Sequence, residues 1–240
     1  MGIGDGWSVA LTVPVVRMHY QILRHQTVDG DPLPYYEEEH TGFGDSALML
    51  QSAQGVNGNV RYWFGMGISV PTAKERDYPA LSGADFGEVL TLGSGTWDPI
   101  LMHGFSFQTG GIEWLGSVWS RLTLYENQFG YRSGSVIQSY FGLGGDVAET
   151  SVSGRLLLGY RHQWRARRDG LDVLNSGGDW VSVMPQVTWR FSPQVSFQIG
   201  VDIPLWRDIY AAPGEIEQAV NGQTDANVRW SFGLTFQHDP

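Results

Sequence analysis

Gln194–Leu205 reads QVSFQIGVDIPL. Val195, Phe197, Ile199, Val201, Ile203 and Leu205 alternate with Gln194, Ser196, Gln198, Gly200, Asp202 and Pro204. A period of two places the two sets on opposite sides of a sheet, so the stretch reads as a β-strand with one apolar and one polar face. Strands of soluble sheets are usually about six residues long. This alternation runs for twelve residues, nearer the ~9–11 that a tilted strand needs to cross a bilayer. The stretch predicts a closed barrel, apolar outside and polar within.

Composition agrees with that reading. The chain has 240 residues, enough for one barrel, and the expectation is a single barrel domain over 1–240. Thirty-two glycines and ten tryptophans suit tight turns, a close-packed lumen and interfacial aromatics. No cysteine is present, which excludes disulfides and thiolate chemistry. No apolar run is long enough for a transmembrane helix. The net charge of −10 argues against a nucleic-acid partner. Lys74 is the one lysine among fifteen basic residues, and the arginines suit pairing with carboxylates inside a lumen. The opening MGIGDGWSVALTVPVV lacks the basic and apolar regions of a signal peptide. The expectation is therefore a mature or recombinant form, or residues missing upstream.

Ten segments repeat the alternation, near 7–15, 44–52, 60–70, 97–107, 112–124, 137–143, 152–164, 181–191, 194–205 and 228–236. The segment at 137–143 alternates least cleanly. Short connections (Ala53–Gly58, Gln108–Gly111, Gly144–Thr150, Ser192–Pro193) alternate with long ones (Arg17–Phe43, Pro71–Gly95, Glu126–Ser133, Ala166–Gly178, Arg207–Ala226). That pattern marks an antiparallel up-and-down barrel of the bacterial outer membrane, with the short turns periplasmic. An even strand number lets the first and last strands pair and remove the open edge. The expected partners follow: the lipid bilayer, a small solute in the lumen and the barrel-assembly machinery during biogenesis. Thr12-Val13-Pro14, Ser69-Val70-Pro71 and Asp202-Ile203-Pro204 form a weak repeat near strand ends, where a proline is tolerated.

Three motifs come in a recognisable order: GFGDSALML (Gly42–Leu50), GISVPTAK (Gly67–Lys74) and GSGTWDPIL (Gly93–Leu101). With them the chain resembles the outer-membrane barrel family associated with meta-cleavage pathways of phenol degradation. The resemblance implies a transporter-like channel and uptake of aromatic compounds. It also implies a further hairpin before Gly2, giving about twelve strands, and a chain ending on an aromatic residue. Here Gln237–Pro240 follow Phe236.

Strand parity assigns Arg61, Arg121, Arg155, Arg161, Arg165, Arg190 and Arg229 to the lumen, with the acids Asp45, Asp98, Glu113 and Asp202. Seven against four leaves the lumen positive inside an acidic chain. Trp63, Trp119, Tyr125 and Trp206 are expected to narrow it. Counting back from the turns sets Asp202 beside Arg229, Ser106 between Arg61 and Glu113, and Arg155 opposite Arg190 with no acid between them. Two uncompensated guanidiniums would suit an anionic solute such as an aromatic carboxylate; a solvated mouth is the bland alternative. Asp45 is expected to pair with a lumenal arginine, and Asp98 to cap its loop ahead of Pro99. No cofactor or metal is implied. The histidines lack ligand spacing, although His19, His25 and His40 share one long connection. Glu37–Glu39 read as a solvated acidic loop, and GLGGD (Gly142–Asp146) is followed by no helix and so is no phosphate loop.

Two other function classes stand beside the channel. An outer-membrane lipid-modifying hydrolase needs a His–Ser pair on the outer wall, for which His103 and Ser120 are the candidates. A soluble β-barrel or sandwich would enclose its apolar face, whereas here the other face carries the arginines.

Overall fold

The computed structural model describes residues 6–22, 27–28, 31–32, 36–56, 59–73, 93–147, 150–173, 176–192, 195–210 and 229–236; within 16–40, and at 56, 229–230 and 234–236, the description is of backbone alone. Ten strands form one antiparallel meander. They are β1 (Trp7–Thr12), β2 (Ser46–Val56), β3 (Val60–Val70), β4 (Asp98–Thr109), β5 (Ile112–Arg121), β6 (Val136–Asp146), β7 (Val152–Gln163), β8 (Gly178–Ser192), β9 (Val195–Ile209) and β10 (Arg229–Phe236). Each pairs with the next, so the strand number read from the alternation matches the main sheet.

The sheet curls but does not close. Among the described residues β1 pairs only with β2, and β10 only with β9, leaving an open half-barrel. This corrects the expectation that β1 and β10 seal the edge. Closure needs two edges that meet at a matching stagger, and those of β1 and β10 do not meet.

The two faces differ as the alternation demands. Leu101, Phe141, Leu158 and Phe232 are each more than half exposed, while Ile100, Leu115, Leu157 and Asp98 are buried on the opposite face. A curled sheet has less room on its concave side, and glycines provide it. Trp63 of β3 is the register partner of Gly104, and a Cβ on Gly104 would stand 2.3 Å from the indole ring. Tyr140 lies over Gly159 in the same way. The face of lower area thus keeps its bulky residues because their neighbours have no side chain.

Turn chemistry explains the short end. Gly110 and Gly111 join β4 to β5 with φ of 57° and 81°. Two successive positive φ values make the twist-matched two-residue hairpin, which glycine adopts without steric cost.

At the long end the chain is more ordered than a loop reading predicts. Val15–Ile22 pairs with Tyr36–Phe43, extending the β1–β2 hairpin well past the sheet. Pro14 donates no hydrogen bond, but its carbonyl accepts from Gly44 N at 2.9 Å and carries the ladder across the break. Tyr131–Arg132, Arg167–Arg168 and Leu171–Asp172 form a three-stranded sheet joining the β5–β6 and β7–β8 connections.

One bulge redirects a face. Val181 pairs with Trp206 and Ser182 with Pro204, which leaves Leu205 as an extra residue on β9. Beyond the bulge the parity inverts. Trp206 therefore shares the outer face with Val181 and is half exposed, correcting its expected place in the lumen.

Candidate functional site

The lumenal face has two polar ends. At the long-connection end the segment Gly93–Asp98, just ahead of β4, is fastened inward. Asp45, one residue before β2, accepts hydrogen bonds from Ser94 N at 2.6 Å, Ser94 Oγ at 2.8 Å and Ala73 N at 3.3 Å. Any side chain at Gly93 would collide, since a Cβ there would stand 2.1 Å from Asp45 Oδ1. Gly95 turns the segment at φ 70°. Among the described residues Asp45 thus binds amides and a hydroxyl, where its lumenal position suggested an arginine. A carboxylate can accept several such bonds at once, which is why an acid suits this anchor.

Asp98, fully buried, closes the same segment. It accepts from Thr96 Oγ1 at 2.7 Å and Thr123 Oγ1 at 3.2 Å, with Arg121 Nε at 3.7 Å. Its capping of Thr96 within the turn is local, while Thr123 and Arg121 tie it to β5. Tyr125 Oη accepts from Trp97 N at 2.7 Å, and Asn127 Nδ2 donates to Ser94 O at 3.3 Å. The GSGTWDP motif is therefore a strap held at both ends by carboxylates.

At the short-turn end lie two ion pairs. Arg155 Nη2 meets Glu113 Oε2 at 3.0 Å, and Arg190 Nη2 meets Asp146 Oδ1 at 2.6 Å. The expected Arg155–Arg190 juxtaposition is corrected. Arg155 is the register partner of Gln186, and Arg190 that of Ser196. The β7–β8 register is unbroken and sets Arg190 level with Ser151, whose carbonyl accepts from Arg190 N at 2.8 Å, because the long connection between the strands is not centred where a symmetric count puts it. Ser106 does face Arg61, but its other partner is Leu115; Glu113 sits two residues on, opposite Gln108.

The remaining candidates are scattered. Arg61 faces inward and makes no hydrogen bond or ion pair among the described residues. Arg161 bonds Gln163 at 2.8 Å and stacks over Trp180 at 5.5 Å. Arg229 and Asp202 are backbone register partners. Arg165 is corrected: β7 stops at Gln163, parity no longer governs, and the guanidinium lies over Tyr210 at 5.7 Å on the outer rim. Asp146 and Arg207 were missed by sequence parity. Asp146 lies past the cleanest part of β6, and Arg207 turns inward because of the Leu205 bulge. By register, seven arginines among the described residues (61, 121, 155, 161, 190, 207 and 229) share the concave face with five acids (45, 98, 113, 146 and 202), a smaller excess of base than seven against four.

The outer wall carries its own polar cluster at the long-connection rim. Asp179 Oδ1 accepts from Tyr160 Oη at 2.5 Å and lies 2.9 Å from His162 Nδ1; Asp179 Oδ2 accepts from Tyr210 Oη at 2.8 Å. The bond to Asp179 holds the Tyr210 proton and raises that hydroxyl above the usual tyrosine pKa. The hydrolase candidates do not assemble: His103 pairs with Val118, Ser120 pairs with Leu101, and no hydrogen bond joins His103 to Ser120. Among the described residues no group of three His, Cys, Asp or Glu is placed to hold a metal. Glu37–Glu39 and the trio His19, His25 and His40 have side chains outside the described residues.

No protein-family model and no curated protein matches this chain. Among solved structures the fold is similar to that of the COG4313 outer membrane channel from Pseudomonas putida F1, with a TM-score of 0.61 and 12% sequence identity, over 97% of this chain and 76% of that one. At that identity the likeness is one of fold.

Proposed function

We propose that the chain, over 1–240, is one outer-membrane barrel that passes or binds a small solute, aromatic or anionic in character. The observation that carries this reading is the two-faced sheet: exposed large apolar residues on the convex side, and ion pairs, carboxylate anchors and glycine-backed aromatics on the concave side. A soluble sheet buries its apolar face; this arrangement suits lipid outside and water within. The fold likeness to an outer membrane channel supports the same reading, and a phenol-pathway solute is its finer, aromatic version.

The lumen is narrow. The ten described strands leave the sheet open; a ring completed by the further hairpin that the resemblance implies, about twelve strands spaced ~4.8 Å apart and tilted ~40°, would be roughly 24 Å across its backbone. Inward side chains such as Trp63, Trp119 and Tyr140 reduce that to a passage for small molecules. Seven arginines against five acids give a weaker anion preference than seven against four would. The lumenal aromatics and surplus guanidiniums favour a small aromatic carboxylate over an alkali cation.

Planar-bilayer recording tests the reading. The expected result is small, discrete current steps with a modest preference for benzoate over potassium ion. Folded protein that gives no current and no change with benzoate, or a pore wide enough to pass oligosaccharides, contradicts it.

A further inference from the structure

The pocket beneath the small three-stranded sheet has no place in solute passage. Its volume is 670 Å³. Its walls include Leu122, His162, Trp164 and Tyr210 with Arg132, Arg165 and Arg167. Leu122, His162 and Tyr210 continue the outer parity of β5, β7 and post-bulge β9, while Thr123, bonded to Asp98, marks the pocket's inner limit, so the pocket lies at the outer rim of the sheet.

Charge there runs against the chain as a whole. Arg132, Arg165 and Arg167 face Asp172 as the one carboxylate among the described residues of the lining, in a chain of net charge −10. Arg167 spends part of its charge on Asp172 at 2.9 Å, while Arg132 makes no ion pair among the described residues. Arg165 is held over the Tyr210 ring, and His162 is fixed by Asp179 and packed edge-on against Trp164 at 4.5 Å. Arg165 is set on an aromatic ring and Arg132 and Arg167 are register partners in the small sheet, so three guanidiniums, the groups best suited to phosphate, converge on one pocket. Below it the wall continues apolar through Ile137, Leu156 and Leu158, all exposed.

We infer that this rim pocket binds the headgroup of a phosphorylated glycolipid in the outer leaflet, with phosphate on Arg132 and Arg165 and acyl chains against the wall below. The inference rests on the barrel reading above, with the long connections facing outward. A membrane ligand, not a dissolved anion, fits because the basic pocket and the apolar wall are continuous. A free phosphate would use the first and ignore the second.

Titration of detergent-folded protein with fluorescent diphosphorylated lipid A tests it. Inorganic phosphate and monophosphorylated lipid A serve as competitors, and unheated gel mobility monitors folding. Wild type should bind the diphosphorylated lipid at least tenfold more tightly than folded Arg132→Glu or Arg165→Glu, with Arg132→Lys retaining most of the binding. Millimolar inorganic phosphate should not displace the lipid. Equal binding by the folded charge-reversed variants overturns the site. So does displacement by inorganic phosphate, which would assign the pocket to soluble anions. Protein with no heat-modifiable folded form overturns the barrel reading itself, and the site with it.

Discussion

Arg155 and Glu113 meet across Gly144. Gly144 is the register partner of Glu113 on one side and of Arg155 on the other, and the two side chains pair at 3.0 Å over it. One strand, β6, separates the charges, so no rule for adjacent strands would join them; a missing side chain does. Arg155 is exposed and Glu113 partly so, and ion pairs open to solvent contribute about 0–1 kcal/mol.

Removing the charge and filling the gap should therefore differ. Glu113→Gln should leave the urea midpoint of vesicle-folded protein nearly unchanged. Gly144→Leu should lower stability by about 1–3 kcal/mol through overpacking, since even its Cβ would stand 2.6 Å from Arg155 Cγ and 2.8 Å from the Gly154 carbonyl. Equal effects of the two changes would contradict the glycine-backed packing of the concave face.

The strap at 93–98 should respond to its anchor. Asp45→Ala leaves Ser94 N and Oγ and Ala73 N without their acceptor, at about 1–3 kcal/mol for each donor that stays buried and unpaired. The expected outcome is a looser strap and larger, noisier current steps in planar bilayers, with Asp45→Asn intermediate. Unchanged conductance in a folded Asp45→Ala variant would mean that the strap does not line the conducting path.

The convex wall should reject charge by parity. Ile199 is the register partner of Val187 and Phe232, all on the outer face, while Gln198 lies between Thr188 and Gly233 on the inner one. Ile199→Arg and Phe232→Arg should each cost ~2–4 kcal/mol near mid-membrane and impair assembly. Gln198→Arg should assemble normally. The measurement is the folded fraction after refolding into vesicles.

Orientation is separately testable. Protease added to intact cells should cut in the connection between β9 and β10, and spare the two-residue turn at Gly110–Gly111. Cleavage confined to the short turns would invert the topology. The first long connection should resist more than its length suggests, because Val15–Ile22 and Tyr36–Phe43 are paired.

The alternation around Ile199 was legible because every second residue obeys the same constraint over a whole strand. On β4 and β7 the same constraint leaves Leu101, Phe107, Leu156, Leu158 and Tyr160 exposed while Ile100 and Leu157 are buried. What alternation cannot carry is a local break. The Leu205 bulge inverts Trp206 and Arg207, and the end of β7 at Gln163 frees Arg165 to reach Tyr210. Long-range anchors are equally invisible. Asp45 binds Ser94, 49 residues away, through a strap whose glycines and hydroxyls were visible as a motif but whose acceptor was not. Closure also lay beyond an even strand count, because it depends on whether the edges of β1 and β10 reach each other.

The central claim is that the exposed apolar face meets lipid around a polar interior, and gel mobility tests it most directly. Protein refolded in detergent should migrate faster unheated than boiled, since a folded membrane sheet resists the denaturing detergent until heated. Identical mobility before and after boiling, from a protein that is also a dispersed monomer without detergent, would contradict the account.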